Sequence, residues 1–332
     1  MKLSVDSIAY TAYFYDGPTL SIEDVVRRAA EFGYDGVEVF PHRPMAFPMD
    51  LSSERRKRLV DLAGSLGIEL TGIGAATNFM MTDHILAQRQ DKELLFVREC
   101  CKLANDLNCK VMRIFAAWIG YFMFEHAGQG YSNTAMHSRN LDVSTEDDYL
   151  RQWDHARKGI AEAARIAGDH GVVLGLQNHP PLTNSFQDCL EMVEEIDSPH
   201  LGVTLDLPLF EYQGDAYVAD CVRRVGKKMV NSHALGIKFK QSLVGPYGFD
   251  ELIPGEGREN WEAFMKACAE IGYKGALSYE QCSPIILKGH KKAGIEEIDR
   301  RFRSGVGFLR EVAIRNGAYS GRAATRSAGG EQ

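Results

Sequence analysis

The chain has 332 residues, 45% of them hydrophobic and 25% charged, which is the composition of a globular protein with a sizeable core. Its net charge of −7, with Lys and Arg scattered through helical stretches, supplies no basic footprint and argues against nucleic acid as a partner. No stretch approaches about 18 consecutive apolar residues, and the opening MKLSVDSIAY lacks the apolar run of a signal peptide, so the expectation is a cytoplasmic protein without a membrane span.

An opening strand is predicted over residues 3–9. One plan then repeats: a helix with apolar residues at three- and four-residue spacing, a Gly or Asn stop, and a short β-rich run. In IEDVVRRAAEFGYDGVEVF, residues Val25, Val26, Ala29, Ala30 and Phe32 line a helix face, Gly33 supplies the left-handed stop, and residues 37–40 form strand two. Further copies are ERRKRLVDLAGSLGIELTGIG, KELLFVRECCKLANDLNCKVMRIFAA, HARKGIAEAARIAGDHGVVLGLQNH, SFQDCLEMVEEIDSPHLGVTLDLP and NWEAFMKACAEIGYKGALSYEQC. A helix over residues 216–225 leads into strand seven at 228–233. The count reaches eight strands alternating with helices, which suits a single α/β domain, a (β/α)8 TIM barrel over residues 1–316. An open doubly wound sheet is the rival, but no GxGxxG or GxxxxGK[ST] turn occurs.

Two stretches depart from the plan. The segment 118–148, after strand four, is too long for an ordinary βα loop and carries Tyr121, Phe122, Phe124, His126, Tyr131 and His137, so it is read as a lid or contact surface. The small, polar stretch 317–332 is read as a flexible tail. The seven cysteines never form CxxC and read as core fillers in a reducing compartment.

Active sites of such barrels lie at the C-terminal ends of the strands. Strand two ends with Glu38, shortly before His42; strand five with Gln177, Asn178 and His179; strand six with Asp206; strand seven with His233; strand eight with Glu280. Asp206 and Glu280 sit in the apolar runs VTLDLP and ALSYEQ, where an unpaired charge is costly to desolvate. Buried ion pairs around a core histidine would compensate them, and so would one divalent cation. Three such residues in register favour the cation, with Mn²⁺ first and Mg²⁺, Co²⁺ or Zn²⁺ as alternatives.

By period-two alternation His179 shares a face with Gln177, which makes it the candidate general base, with Glu280 chiefly a ligand and a second acid or base. Candidates for substrate contact are Glu38 and His42, the loop residues Tyr121, Phe124 and His126, and Lys238 and Lys240 of GIKFKQ. The plainer readings are a buried ion pair for Glu38, exposed loop histidines, loop or interface packing for the aromatics, and solvated lysines.

The stretches AAEFGYDGVEVF, LGLQNHPP, GVTLDLP and PGEGRENWEAFMKACAEIGYKGALSYEQ make nearly the whole chain resemble the xylose isomerase-like superfamily of sugar isomerases and epimerases, which includes the type-2 apurinic endonucleases. That resemblance implies one divalent cation held by Glu, Asp, His and Glu from strands five to eight. Asp206, His233 and Glu280 match, whereas the strand-five position holds Gln177, whose neutral amide ligates only through its carbonyl oxygen. Leu209 and Phe239 stand where family epimerases often place His and Arg, which speaks against phosphate or simple ketose binding in the usual manner.

The chemistry that suits such a set is removal of a proton next to a sugar carbonyl. Reprotonation then gives isomerisation or epimerisation; loss of a substituent one carbon further gives β-elimination, for which one base suffices. Loss of the second glutamate at Gln177 tilts the reading toward elimination. In this the chain is similar to the larger subunit of bacterial C-deglycosylation enzymes, which implies carbon–carbon cleavage of 3-oxo C-glycosides, a small β-sandwich partner subunit and an oligomer. The alternatives are a sugar or keto-polyol isomerase or epimerase, and a barrel without catalysis that serves as a scaffold subunit.

Overall fold

The computed structural model describes residues 1–80, 89–118, 146–180, 182–240, 248–289 and 291–322. Seven strands come first: β1 Lys2–Asp6, β2 Gly36–Val39, β3 Glu69–Gly74, β4 Val111–Ile114, β5 Val173–Gln177, β6 Leu201–Thr204 and β7 Met229–Ala234. An antiparallel hairpin, β8 Gly236–Lys240 and β9 Gly248–Leu252, precedes β10 Ala276–Tyr279. The first seven strands and β10 pair in parallel, each with its sequence neighbour, and β10 returns to β1 to close the barrel. The predicted (β/α)8 architecture is the observed one.

Around it run α1 Ile22–Phe32, α2 Ser53–Ser65, α3 Arg89–Asp106, α4 Glu146–Asp169, α5 Phe186–Ile196, α6 Asp215–Val225, α7 Trp261–Glu270 and α8 Ile295–Arg315. Their starts are written in the sequence. Ser21 accepts from the Asp24 amide at 3.1 Å, Asn260 from the Ala263 amide at 3.1 Å, and Ser185 and Asp188 form a reciprocal capping box. Gly33 ends α1 at φ 87°, a conformation a side chain would resist.

Alternation within the strands separates two environments. One set, including Leu3, Val5, Val37, Met112, Ile114, Leu174 and Leu277, is buried and apolar and belongs to the main hydrophobic core. The other set is buried and polar: Ser4, Asp6, Glu38, Arg113, Gln177, Asn231, His233, Ser278 and Glu280. Members of the second set hydrogen-bond or pair with one another from strands that are not neighbours, so they fill the barrel interior. Gly74 makes room for them. A Cβ there would lie 2.9 Å from Glu38 Oε1, 3.2 Å from Arg113 Nη2 and 3.4 Å from Asp6 Oδ2.

Three local features differ from the reading of the sequence. The first strand stops at Asp6, because its carboxylate accepts from the Ile8 amide at 2.9 Å and caps a turn over Ser7–Tyr10. The β8–β9 hairpin was not anticipated. Residues 317–322 pack on the barrel: Ala318 is buried, Ser320 N–H donates to Met1 O at 2.8 Å, and Asp35 accepts from Tyr319 Oη at 2.9 Å and the Arg322 amide at 2.8 Å. Positions 323–332 lie outside the described residues, as do 119–145 of the long segment after β4. All seven cysteines are free thiols, six of them buried. No helix among the described residues is long and apolar enough to cross a membrane.

Candidate metal centre

His233, on β7, is fully buried. Its amide donates to Asp206 Oδ1 at 3.0 Å. Its Nε2 lies 3.1 and 3.2 Å from the two oxygens of Glu38 on β2, which also accept from Asn231 Nδ2 at 3.1 Å and Ser278 Oγ at 2.6 Å. Burial alone would raise the Glu38 carboxyl, but His233 and Arg113 bring it down to about 2. An ionised carboxylate only accepts, so Nε2 carries the proton.

The other face of the ring is open. Nδ1 has no hydrogen-bond partner and lies 3.7 Å from Asp206 Oδ2 and 3.4 Å from Glu280 Oε2. One ligand atom from each of Asp206, His233 and Glu280 falls within 4.8 Å of the others. Burial works against a charged imidazole, yet Glu38, Asp206 and Glu280 outweigh it and push His233 well above its usual value. The surroundings therefore demand positive charge at this spot, and a cation would compete with the Nδ1 proton for it.

Asp206 follows β6 and is clamped by β5. Asn178 accepts from its amide at 2.7 Å and donates to its carbonyl at 3.1 Å, while Gln177 Nε2 donates to Oδ2 at 2.5 Å. Burial pushes the Asp206 carboxyl up to about 6 against the pull of His233. Gln177 Oε1 is buried without a hydrogen-bond partner. An orphaned acceptor beside two carboxylates fits a hard divalent cation, and Asp206, His233 and Glu280 form a divalent-cation site.

A second acidic group, Asp6, Glu38 and His233, lies on the Nε2 side. There the positive charge is already supplied by Arg113, whose Nη2 is 3.6 Å from Asp6 Oδ2 and 3.6 Å from Glu280 Oε1. Glu38, expected at the substrate, is thus placed behind the imidazole, with both oxygens engaged by protein donors. Such an outer carboxylate fixes the tautomer and orientation of a ligating histidine.

His179 is half-buried, its ring 4.6 Å from that of Phe115 and its Nδ1 2.5 Å from Pro180 O. His42, expected in an exposed loop, is instead wedged between Phe40 and Phe96, ring centroids 4.7 and 4.9 Å away, and its Nε2 accepts from the Ala76 amide at 3.0 Å. Burial lowers it to about 4, so it is a neutral packing residue. Lys238 is exposed on β8. Tyr121, Phe124 and His126 lie outside the described residues, and so does the side chain of Lys240. Asp6, Arg113, Asn231 and Ser278 are not among the residues the sequence singles out, and Asn178 is named there at the end of strand five without a role. Arg113 alone carried a signal, a charge inside the apolar run VMRIF.

A family model described as "Xylose isomerase-like TIM barrel" matches residues 26–312. Fructoselysine 3-epimerase of Escherichia coli O157:H7 is 23% identical over 269 residues, covering 79% of this chain and 86% of that protein. Among solved structures, D-psicose 3-epimerase from Clostridium cellulolyticum H10, with D-tagatose, superposes with a TM-score of 0.66 at 19% identity, covering 94% of this chain and 99% of that one. A 3-keto-D-glucoside 4-epimerase from E. coli does so with a TM-score of 0.63 at 17% identity, again covering 94% and 99%.

Proposed function

Because the chain belongs to the xylose isomerase-like TIM barrel family, we propose that it is a divalent-cation-dependent isomerase or epimerase that removes a proton beside the carbonyl of an unphosphorylated keto-sugar or keto-polyol. The observation that carries this reading is the open Nδ1 of His233, facing Asp206 and Glu280 with no hydrogen bond. The relatives described above are named as epimerases of fructoselysine, D-psicose and a 3-keto-D-glucoside, which gives this reading precedence over carbon–carbon cleavage. Manganese is the proposed ion, on the carboxylate-rich ligand set.

Asp206, His233 and Glu280, with Gln177 Oε1 as a fourth donor, would hold the cation, which when bound would supply positive charge to the substrate carbonyl and so acidify the neighbouring carbon. His179 is the proposed base. The Pro180 carbonyl only accepts, so the proton of His179 sits on Nδ1 and the basic lone pair on Nε2. The ring of Phe115 holds the imidazole plane. Asn178 and Gln177 keep Asp206 aimed, and Glu38 keeps His233 in the Nε2–H tautomer.

One feature favours elimination as a second reading: at Gln177 an amide stands where a second acid or base would be needed for two-faced proton transfer. That reading carries with it cleavage of 3-oxo C-glycosides and a small β-sandwich partner subunit in an oligomer.

The test is deuterium wash-in. Manganese-loaded protein in D₂O is expected to incorporate deuterium beside the carbonyl of D-psicose, D-fructose or a 3-keto-glucoside, read by mass spectrometry. His179→Ala is expected to lose about 10²–10⁴ of that rate with its metal retained. Asp206→Ala and His233→Ala are expected to lose the metal itself, read by elemental analysis. Manganese-loaded wild type that exchanges none of the three would overturn the isomerase reading; release of a free aglycone from a 3-oxo C-glycoside would put elimination in its place.

A further inference from the structure

Arg113 is the largest fully buried side chain among the described residues, 1% exposed, in the middle of β4. Its neighbours Met112 and Ile114 are fully buried and apolar, so alternation turns Arg113 into the barrel. One guanidinium nitrogen, Nη2, stands 3.6 Å from Asp6 Oδ2 and 3.6 Å from Glu280 Oε1. Nη1 donates to Ala75 O at 3.3 Å, Nε has no partner, and the ring of Phe115 lies 4.4 Å from the guanidinium carbon. Five donors are thus served by one hydrogen bond and two ion pairs longer than contact distance. A buried guanidinium in the interior is normally saturated by bidentate pairs.

The two oxygens of Glu280 are divided. Oε1 looks toward Arg113, and Oε2 looks toward His233 Nδ1 at 3.4 Å. Asp6, Glu38, Asp206 and Glu280 put four carboxylates in one water-poor space, against one permanent cation. That space exists because β3 offers Gly74 there, where a Cβ would meet Glu38, Arg113 and Asp6 within 3.4 Å.

We propose that Arg113 is the internal counter-ion of the metal centre, a positioning residue that holds Glu280 by Oε1 so that Oε2 faces the cation, and that supports the acidic cluster while the cation is away. The inference rests on the cation reading above and deepens it. With the ion bound, its two charges and the charge of Arg113 share four carboxylates. With the ion absent, the His233 ring faces Glu38, Asp206 and Glu280 Oε2, and Arg113 is the positive charge that faces Asp6 and Glu280 Oε1. Removing Arg113 therefore harms the metal-free protein more than the loaded one. A residue that merely fills space would harm both equally.

The test compares thermal midpoints of the full chain, metal-free and with manganese chloride alone, for wild type, Arg113→Met and Arg113→Met/Asp6→Asn. Methionine keeps the stem and its packing and removes only the charge. The manganese-induced rise in Tm is expected to be about two-fold larger in Arg113→Met than in wild type, and to fall back toward the wild-type value when Asp6→Asn removes one of the carboxylates Arg113 balances. The double variant also keeps the comparison possible if Arg113→Met does not fold without metal. Equal rises in wild type and both variants would overturn the counter-ion role and leave Arg113 as packing. No rise in wild type would instead overturn the cation reading, with its own separate consequence for the proposed activity.

Discussion

The two nitrogens of one imidazole have opposite surroundings. On the Nε2 side of His233, Glu38 is answered by Asn231 and Ser278 as well as by the ring. On the Nδ1 side, Asp206 and Glu280 approach without a hydrogen bond, and Gln177 Oε1 is buried unpaired. A buried polar atom left unpaired costs roughly 1–3 kcal/mol, so the Nδ1 side makes physical sense as a place built to be filled. The contrast separates what holds the imidazole from what the imidazole holds.

The strongest way to break that contrast is to disturb the satisfied side. Glu38→Gln keeps the shape but replaces an obligate acceptor with an amide, so the tautomer with Nδ1 open is no longer enforced. Manganese affinity, read by calorimetric titration, is expected to drop about 10–100-fold, with circular dichroism unchanged. Unchanged affinity would mean that the outer carboxylate does nothing for the ligand behind which it sits.

The open side is sharpened by adding charge to it. Gln177→Glu places a third carboxylate, beside Asp206 and Glu280, at a position that now donates to Asp206 Oδ2 at 2.5 Å. Without metal the like charges repel, and Tm is expected to fall; with manganese the extra anionic ligand is expected to tighten binding about tenfold and raise Tm above wild type. If both forms shift in the same direction, Gln177 does not face the cation.

How far the sequence foretold this contrast depends on where each partner sits in the chain. Asp206 and Glu280 were visible because VTLDLP and ALSYEQ are apolar runs broken by one acid at the strand end. The same logic applied to VMRIF picks out Arg113, a base inside an apolar strand. Asp6 was hidden inside a strand expected to run to residue 9, since nothing local announces that its side chain caps a turn at Ile8. Glu38 is legible as a polar strand end, and of its two readings the buried pair is the one that matches its contact with His233; Asn231 and Ser278, which complete its surroundings, reach it from strands almost 200 or more residues away. The barrel itself was legible throughout, since each helix start, glycine stop and strand is a local pattern. The hairpin after β7 was not, although GIKFK alternates as a strand should.

That hairpin supplies the smallest effect, at the outer edge of the site. Glu251 on β9 grips the residues just after Glu280: its Oε2 accepts from the Cys282 and Ser283 amides, each at 3.0 Å, and from Gln281 Nε2 at 2.5 Å. Burial pushes the Glu251 carboxyl up to about 7 from its ordinary 4.5, against the opposing hydrogen bonds from Cys282 and Ser283. The folded protein therefore holds a proton that the unfolded chain gives up. The stability tied to that proton is fully present below the ordinary value and is lost as pH rises through about 7. Glu251→Gln copies the protonated form at every pH. Wild type and variant are expected to melt alike near pH 4, and the wild type to fall behind by on the order of 1 kcal/mol above about pH 8, measured by denaturation across that range. A difference that does not move with pH would mean that Glu251 stays charged throughout, and that the grip on the Glu280 segment is made by an ionised carboxylate like those inside the barrel.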